Sequence, residues 1–150
     1  MLAILASTRV FDANEMIVAE EVLDSYLQEG EDSGFFCYVL VHEGRIQGYV
    51  CFGPTPLTYG TWDVYWMAVH ASSHRLGVGK QLLAFAEREI QEKRGRICLI
   101  ETSSRADYEP ARRFYSSMGY QVECIVEGFY SPGDSKVLFA KRFTYQTSSS

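Results

Sequence analysis

The chain lacks a basic cluster, a long apolar run and any paired-cysteine motif, and each lack removes a class of function. Its 150 residues carry 14 Lys and Arg against 19 Asp and Glu, a formal charge of −5. The densest basic stretch is Lys93-Arg94 with Arg96 beside it, too little for a nucleic-acid footprint. No segment approaches the roughly 18 uncharged apolar residues of a membrane span. Met1 to Ala6 is too short and has no basic flank for a signal peptide, so the expected location is the cytoplasm, away from membranes. Cys37, Cys51, Cys98 and Cys124 have no CxxC or Cys/His spacing. They therefore read as small core residues in strands and not as metal ligands. Cys37 and Cys51 could face each other across a hairpin, although a reducing compartment makes a disulfide the minority outcome. His42, His70 and His74 fall at strand ends or in loops and are too scattered for a metal site. Neither repeats nor low-complexity segments are evident.

What remains is an ordinary globular composition, 47% hydrophobic and 22% charged, fitting one domain over residues 1–150 with a disordered tail at 147–150. The acidic balance mildly favours a cationic substrate, but it also serves solubility alone. Apolar periodicity predicts a helix from Ala13 to Gln28 and a shorter one over Leu2 to Val10. Phe35 to Val41 and Arg45 to Phe52 read as strands joined at Glu43-Gly44. Trp62 to Val69 is the next strand, and Lys80 to Lys93 a helix packing through Leu82, Leu83, Ala86 and Ile90. Arg96 to Thr102 returns to the sheet, so that strand, crossover helix and strand form a parallel pair. Gln121 to Phe129 and Lys136 to Phe143 close the fold through Ser131-Pro132-Gly133-Asp134.

Between the strand at Trp62 and the helix at Lys80 lies His74-Arg75-Leu76-Gly77-Val78-Gly79-Lys80. A helix start has N–H groups without intrahelical partners, and glycines let a phosphate approach the main chain closely. A tight strand-to-helix turn would need the same glycines, so the GxG alone leaves both readings open. The P-loop pattern would require Gly at His74, and the dinucleotide fingerprint Gly at Leu82; both fail. A second segment, Asp107 to Tyr120, is a short helix with Asp107 near its start, Pro110 in its first turn and Gly119 at its end. Ala111, Phe114, Tyr115 and Met118 share one face of it.

In this order the two segments resemble the GNAT superfamily of acyl-CoA-dependent N-acyltransferases, over about residues 34 to 143. The (Q/R)xxGx(G/A) loop is similar to His74 to Gly79, with His74 in the Gln/Arg place. The NxxAxxFYxxxGF motif is similar to Tyr108 to Tyr120, with Tyr108 for Asn and Tyr120 for Phe. The resemblance implies an α/β (α+β) fold with a mixed, mostly antiparallel twisted sheet flanked by helices. The family's usual first strand has no counterpart in Met1 to Asp12. The resemblance also implies acetyl-CoA as co-substrate without a metal and a primary amine of a small molecule or peptide N-terminus as acceptor; a homodimer through a sheet edge or the terminal strands is a plausible assembly.

For the site, the resemblance implies that His74, Arg75, Leu76, Gly77, Val78, Gly79 and Lys80 hold the pyrophosphate. The backbone of Met67, Ala68 and Val69 would hold the pantetheine arm, with Tyr108, Ala111 and Phe114 lining the coenzyme site. Tyr115 would be the general acid that protonates the departing thiolate. Many relatives carry a Glu late in the third strand where this chain has Tyr65 and Trp66. Asp63 and Glu101 are the available substitutes as base, through a water relay, and Asp63 shares a face with Tyr65 by period-2 alternation. Trp62, Tyr65, Trp66, Phe129 and Tyr130 are candidate walls of an amine pocket. The alternative is a non-catalytic acyl-CoA-binding module that keeps the loop and has lost proton handling; a third reading, an interaction domain, predicts no coenzyme binding.

Overall fold

Glu43 and Gly44 both adopt positive φ, 52° and 74°, as a two-residue hairpin turn requires to match the twist of its strands. In the structure, a computed structural model that describes residues 34–71 and 77–146, this turn joins β1 (Phe36–His42) to β2 (Arg45–Pro54). There follow β3 (Thr61–Val69), α1 (Val78–Glu92), β4 (Ile97–Ser103), a 3-10 turn over Ala106–Tyr108, α2 (Glu109–Ser117), β5 (Gln121–Ser131) and β6 (Asp134–Arg142). The strands form one six-stranded sheet in the order β1-β2-β3-β4-β6-β5. Among them β3 and β4 run parallel, across the α1 crossover, and the other neighbours are antiparallel. This is the mixed, mostly antiparallel architecture expected. The helices anticipated over Leu2 to Val10 and Ala13 to Gln28, the question of a first strand, and the tail 147–150 lie outside the described residues. Among the described residues no helix is long and apolar enough to cross a membrane.

Among the described residues, both helices pack on one face of the sheet. From α1, Leu82, Leu83, Ala86 and Ile90 reach Val50, Phe52, Val64, Cys98 and Ile100, and from α2, Phe114, Tyr115 and Met118 pack beside Val137 and Phe139. Gly48 lets α1 sit this close. A Cβ there would lie 2.8 Å from the Ala68 carbonyl oxygen, 2.9 Å from Leu82 Cδ1 and 3.2 Å from Val78 Cγ1. Gly48→Ala is therefore expected to destabilise by about 1–3 kcal/mol through overpacking. Urea unfolding would show a lower midpoint at unchanged slope; an unmoved midpoint would mean that α1 shifts freely.

Two local expectations need correction. Cys51 and Cys98 are buried, but Cys124 is exposed on β5, all of whose residues are exposed on the outermost strand of the sheet. Asp107 does not cap α2: the 3-10 turn precedes the helix, Tyr108 takes the N-cap position without a side-chain capping bond, and Asp107 pairs with Arg105 at 3.4 Å.

Candidate active site

The sheet divides at the middle of β3. Its register with β2 shifts between Cys51 and Phe52, so Tyr65 is an extra residue between Val64 and Trp66. A bulge of this kind bends and twists its strand. Pairing of β3 with β4 runs only from Thr61/Ile97 to Val64/Ile100. Beyond it β3 stays with β2 as far as Val69, while β4 stays with β6 through Ser103/Lys136. A cleft opens between the carboxyl halves of the two parallel strands.

The bulge also resets which side chains face where. Trp62 and Val64 pack toward the helices, and so do Met67 and Val69, one step out of phase. Asp63, Tyr65, Trp66 and Ala68 take the opposite face. Period-2 alternation thus holds for Asp63 and Tyr65 and fails after them. Trp62, expected among the walls of an amine pocket, is instead 6% exposed within the core. Backbone direction follows from one bond: the His70 N–H donates to the Gln47 carbonyl at 2.7 Å. Antiparallel pairing alternates, so Ala68 and Trp66 also turn their peptide groups to β2, whereas Met67 and Val69 direct theirs to the cleft side.

At the outer end of β3 stands the first turn of α1. Gly77 is left-handed at φ 72° and gives the helix no side-chain cap, and no acid occupies the first turn. The Gln81 N–H closes the first helical bond on the Gly77 carbonyl at 3.1 Å, which leaves the amides of Val78, Gly79 and Lys80 ahead of it. They are the positive end of the helix. A Cβ at Gly79 would be 3.6 Å from Val69 Cγ2 and 3.5 Å from Phe114 Cζ, so this turn is seated between the end of β3 and α2. Lys80 is exposed beside it. His74, Arg75 and Leu76 lie outside the described residues.

Tyr115 stands on α2, partly buried against the core. Its ring centroid is 5.7 Å from that of Phe114, 6.5 Å from Tyr120 and 5.7 Å from Phe139. Phe139 is the β6 partner of Ile100, the last β4 residue paired to β3. Burial pushes the phenol up to about 12, and its hydroxyl has no hydrogen-bond partner among the described residues. Ala111 is half-buried on the same helix. Tyr108 is buried at the helix start beneath the Arg105 guanidinium, 5.0 Å from its ring centre. Arg112, a residue that sequence reasoning missed, donates from Nη1 to the carbonyls of Ser103 at 2.6 Å and Arg105 at 2.8 Å. It fixes α2 to the end of β4.

On the face away from the helices stand the two carboxylates. Glu101 is the first β4 residue beyond the paired segment; its Oε1 accepts from the Tyr130 hydroxyl at 2.9 Å and its Oε2 pairs with Lys136 Nζ at 3.0 Å. Burial first, then the bond to Glu101, raises the Tyr130 phenol. Asp63 lies back in the closed half, where Oδ2 accepts from the Thr55 hydroxyl. Burial and then the Asp63 charge raise the Tyr65 phenol. Phe129 stacks edge-on against Tyr130 at 5.0 Å, under Lys136. Lys136 and Thr55 were not foreseen, because each meets its carboxylate through strand pairing that no local spacing encodes. Among the described residues no group of three or more His, Cys, Asp or Glu could hold a metal ion.

Comparison with known proteins gives the family. Residues 33–122 match the family model of the acetyltransferase (GNAT) domain. A GNAT-family structure from Desulfovibrio desulfuricans superposes with a TM-score of 0.91 at 35% identity, over 94% of this chain and 89% of that one. The N-acetyltransferase YsnE of Bacillus subtilis, itself uncharacterised, is 34% identical over 76 residues, 51% of this chain and 50% of that protein. The match thus spans about half the length of that curated relative. A GNAT acetyltransferase from Elizabethkingia anophelis, solved with acetyl-CoA bound, shares the fold at a TM-score of 0.67 with 18% identity over 83% of each chain. Sequence and architecture agree, and the chain belongs to the GNAT acetyltransferase family.

Proposed function

We propose that residues 1–150 act as one N-acetyltransferase domain that moves the acetyl group of acetyl-CoA to a primary amine of a small molecule or a peptide N-terminus. The observation that carries this reading is the parting of β3 from β4 beyond Val64 and Ile100. It leaves a strand edge against which a pantetheine arm can lie, between an uncapped helix start and a tyrosine hydroxyl. The amides of Val78, Gly79 and Lys80 receive the pyrophosphate, with His74, Arg75, Leu76 and Gly77 completing the loop. Met67 to Val69 hold the arm as an added strand does. Phe114 and Ala111 border it from α2, and Tyr108 from the 3-10 turn before that helix.

The amine enters from the face of Glu101, Tyr65 and Trp66 and attacks the thioester carbonyl. A β3 amide meets the developing oxyanion. As the C–S bond breaks, Tyr115 gives its proton to the sulfur, and the proton of the new ammonium leaves through water to Glu101. Asp63 acts behind Tyr65 as the second carboxylate of that relay. The products are an amide and free coenzyme A. The coenzyme supply places the reaction in the cytoplasm. A homodimer through the exposed strand β5 is compatible with this cleft, which opens elsewhere.

One observation favours the second reading, a non-catalytic acyl-CoA-binding module: Glu101 is already engaged by Lys136 and Tyr130, and Asp63 by Thr55. Calorimetric titration with acetyl-CoA followed by thiol release over a panel of amines separates the two. Uptake of one equivalent with acceptor-dependent thiol release is the expected result. Uptake without turnover for any amine would favour the module, and no uptake would end both readings.

A further inference from the structure

The catalytic reading leaves one pair of nucleophilic side chains unused. Cys37 on β1 and Cys51 on β2 are direct partners in the antiparallel register. Both are free thiols, Cys51 buried and Cys37 half-buried. The alternation set by the His70 to Gln47 bond turns the peptide groups of Cys51 toward Trp66 on β3, so against Cys37 it forms a pair without direct backbone bonds. Such pairs have the shorter Cα separation, about 4.5 Å, with side chains closest. That falls within the roughly 4.4–6.8 Å a disulfide spans. We propose that Cys37 and Cys51 are an oxidant-responsive modification site, closing to a reversible cross-strand disulfide when a peroxide reaches Cys37.

The two thiols differ in the way the chemistry needs. The hydrogen bond from Cys51 draws the Cys37 thiol below its ordinary range despite partial burial. The same bond, together with burial, pushes Cys51 up. Cys37, the more exposed of the two, is the thiol that a peroxide meets first, and the buried Cys51 is the one that resolves. In the first step the Cys37 thiolate takes one oxygen from hydrogen peroxide, giving a sulfenic acid and hydroxide. In the second the Cys51 sulfur displaces hydroxide from that sulfenic sulfur, its own proton completing a water. Two thiols lose two electrons, and the peroxide gains them. A reducing pool keeps the pair open at rest, which suits a site that responds to oxidant.

Position gives the bond a consequence. Cys51 stands opposite Trp66 and beside the register shift that makes Tyr65 the bulge of β3. The linkage would tie β1 to the strand that backs the cleft. Cys124, exposed on β5, supplies the internal control.

The test is to treat the whole protein with hydrogen peroxide, denature it, alkylate it and map its peptides. The expected result is loss of two of the four thiols, a monomer lighter by two hydrogens, and a peptide joining Cys37 to Cys51 that dithiothreitol separates. Cys124→Ser should leave this pattern intact. Cys51→Ser should abolish the cross-link and leave Cys37 as a sulfenic acid that dimedone captures. Full alkylation of both Cys37 and Cys51 after oxidation that consumes Cys124 would overturn the proposal, as would a Cys51→Ser protein in which dimedone labels nothing at Cys37.

Discussion

Tyr115→Phe is expected to lower kcat by about 10²-fold or more, the usual range for a single general acid, with the KM for acetyl-CoA changed by less than about threefold. The substitution removes one oxygen and keeps the ring that packs on Phe114, Tyr120 and Phe139. Since the hydroxyl has no partner among the described residues, its loss breaks no hydrogen bond there. A fall in activity with intact coenzyme affinity then belongs to the proton. Steady-state kinetics with any amine that turns over decide it, and an unchanged kcat would remove Tyr115 from the mechanism.

The pH dependence has a definite sign. Burial raises the phenol from its usual value of about 10 to about 12, and the protonated form is the active one. An alkaline fall in kcat due to this group therefore begins above pH 10, so the wild-type profile stays free of a Tyr115 limb between about pH 7 and 9.5. The linked effect on stability runs the same way: the contribution is complete below the unfolded pKa and is lost as pH rises through about 12.

How far the chain could be read without its structure depended on whether a feature was local. The Glu43-Gly44 turn, the stripe of Leu82, Leu83, Ala86 and Ile90, and the Pro110 and Gly119 boundaries of α2 each depend on a few adjacent residues, and the structure has them in place. Register is different. The extra residue at Tyr65 reverses the faces of everything after it, which is why Trp66 and not Trp62 stands on the Glu101 side of β3. Nothing within Trp62 to Val69 marks that step, because a bulge is defined against the partner strand. The contact of Lys136 with Glu101 spans two strands paired across 35 residues of sequence separation. The exposure of Cys124 likewise comes from β5 ending the sheet, since an alternating strand pattern looks the same at an edge and in the centre.

The second large effect lies beneath α1. Glu87→Ala is expected to destabilise the protein by about 2–3 kcal/mol, just under the roughly 3–5 kcal/mol for breaking a fully buried pair. Glu87 is 7% exposed; its Oε1 pairs with Lys141 Nζ at 2.6 Å and its Oε2 accepts from the Tyr120 hydroxyl at 3.2 Å. Tyr120 lies as close to Cys98 Sγ, and Lys141 also donates to the Met118 carbonyl at 2.9 Å. One carboxylate thus joins α1, β4, β6 and the end of α2. Its removal leaves an ammonium and a phenol short of an acceptor, though the Lys141 side chain, 29% exposed, can recover some water, which is why the fully buried figure is not reached. For a chain of this size the loss amounts to a fall of about 4–12 °C in Tm. Replacing Glu87 and Lys141 together by Met should recover most of it, because no charge is then stranded. The same variants report on the site, for Met118 is three residues from Tyr115 in the turn that Lys141 holds. If the network only stabilises the fold, kcat of the folded fraction stays unchanged in Glu87→Ala. If it also positions the phenol, kcat falls while the KM for acetyl-CoA stays, as in Tyr115→Phe, and the Glu87→Gln variant restores part of both.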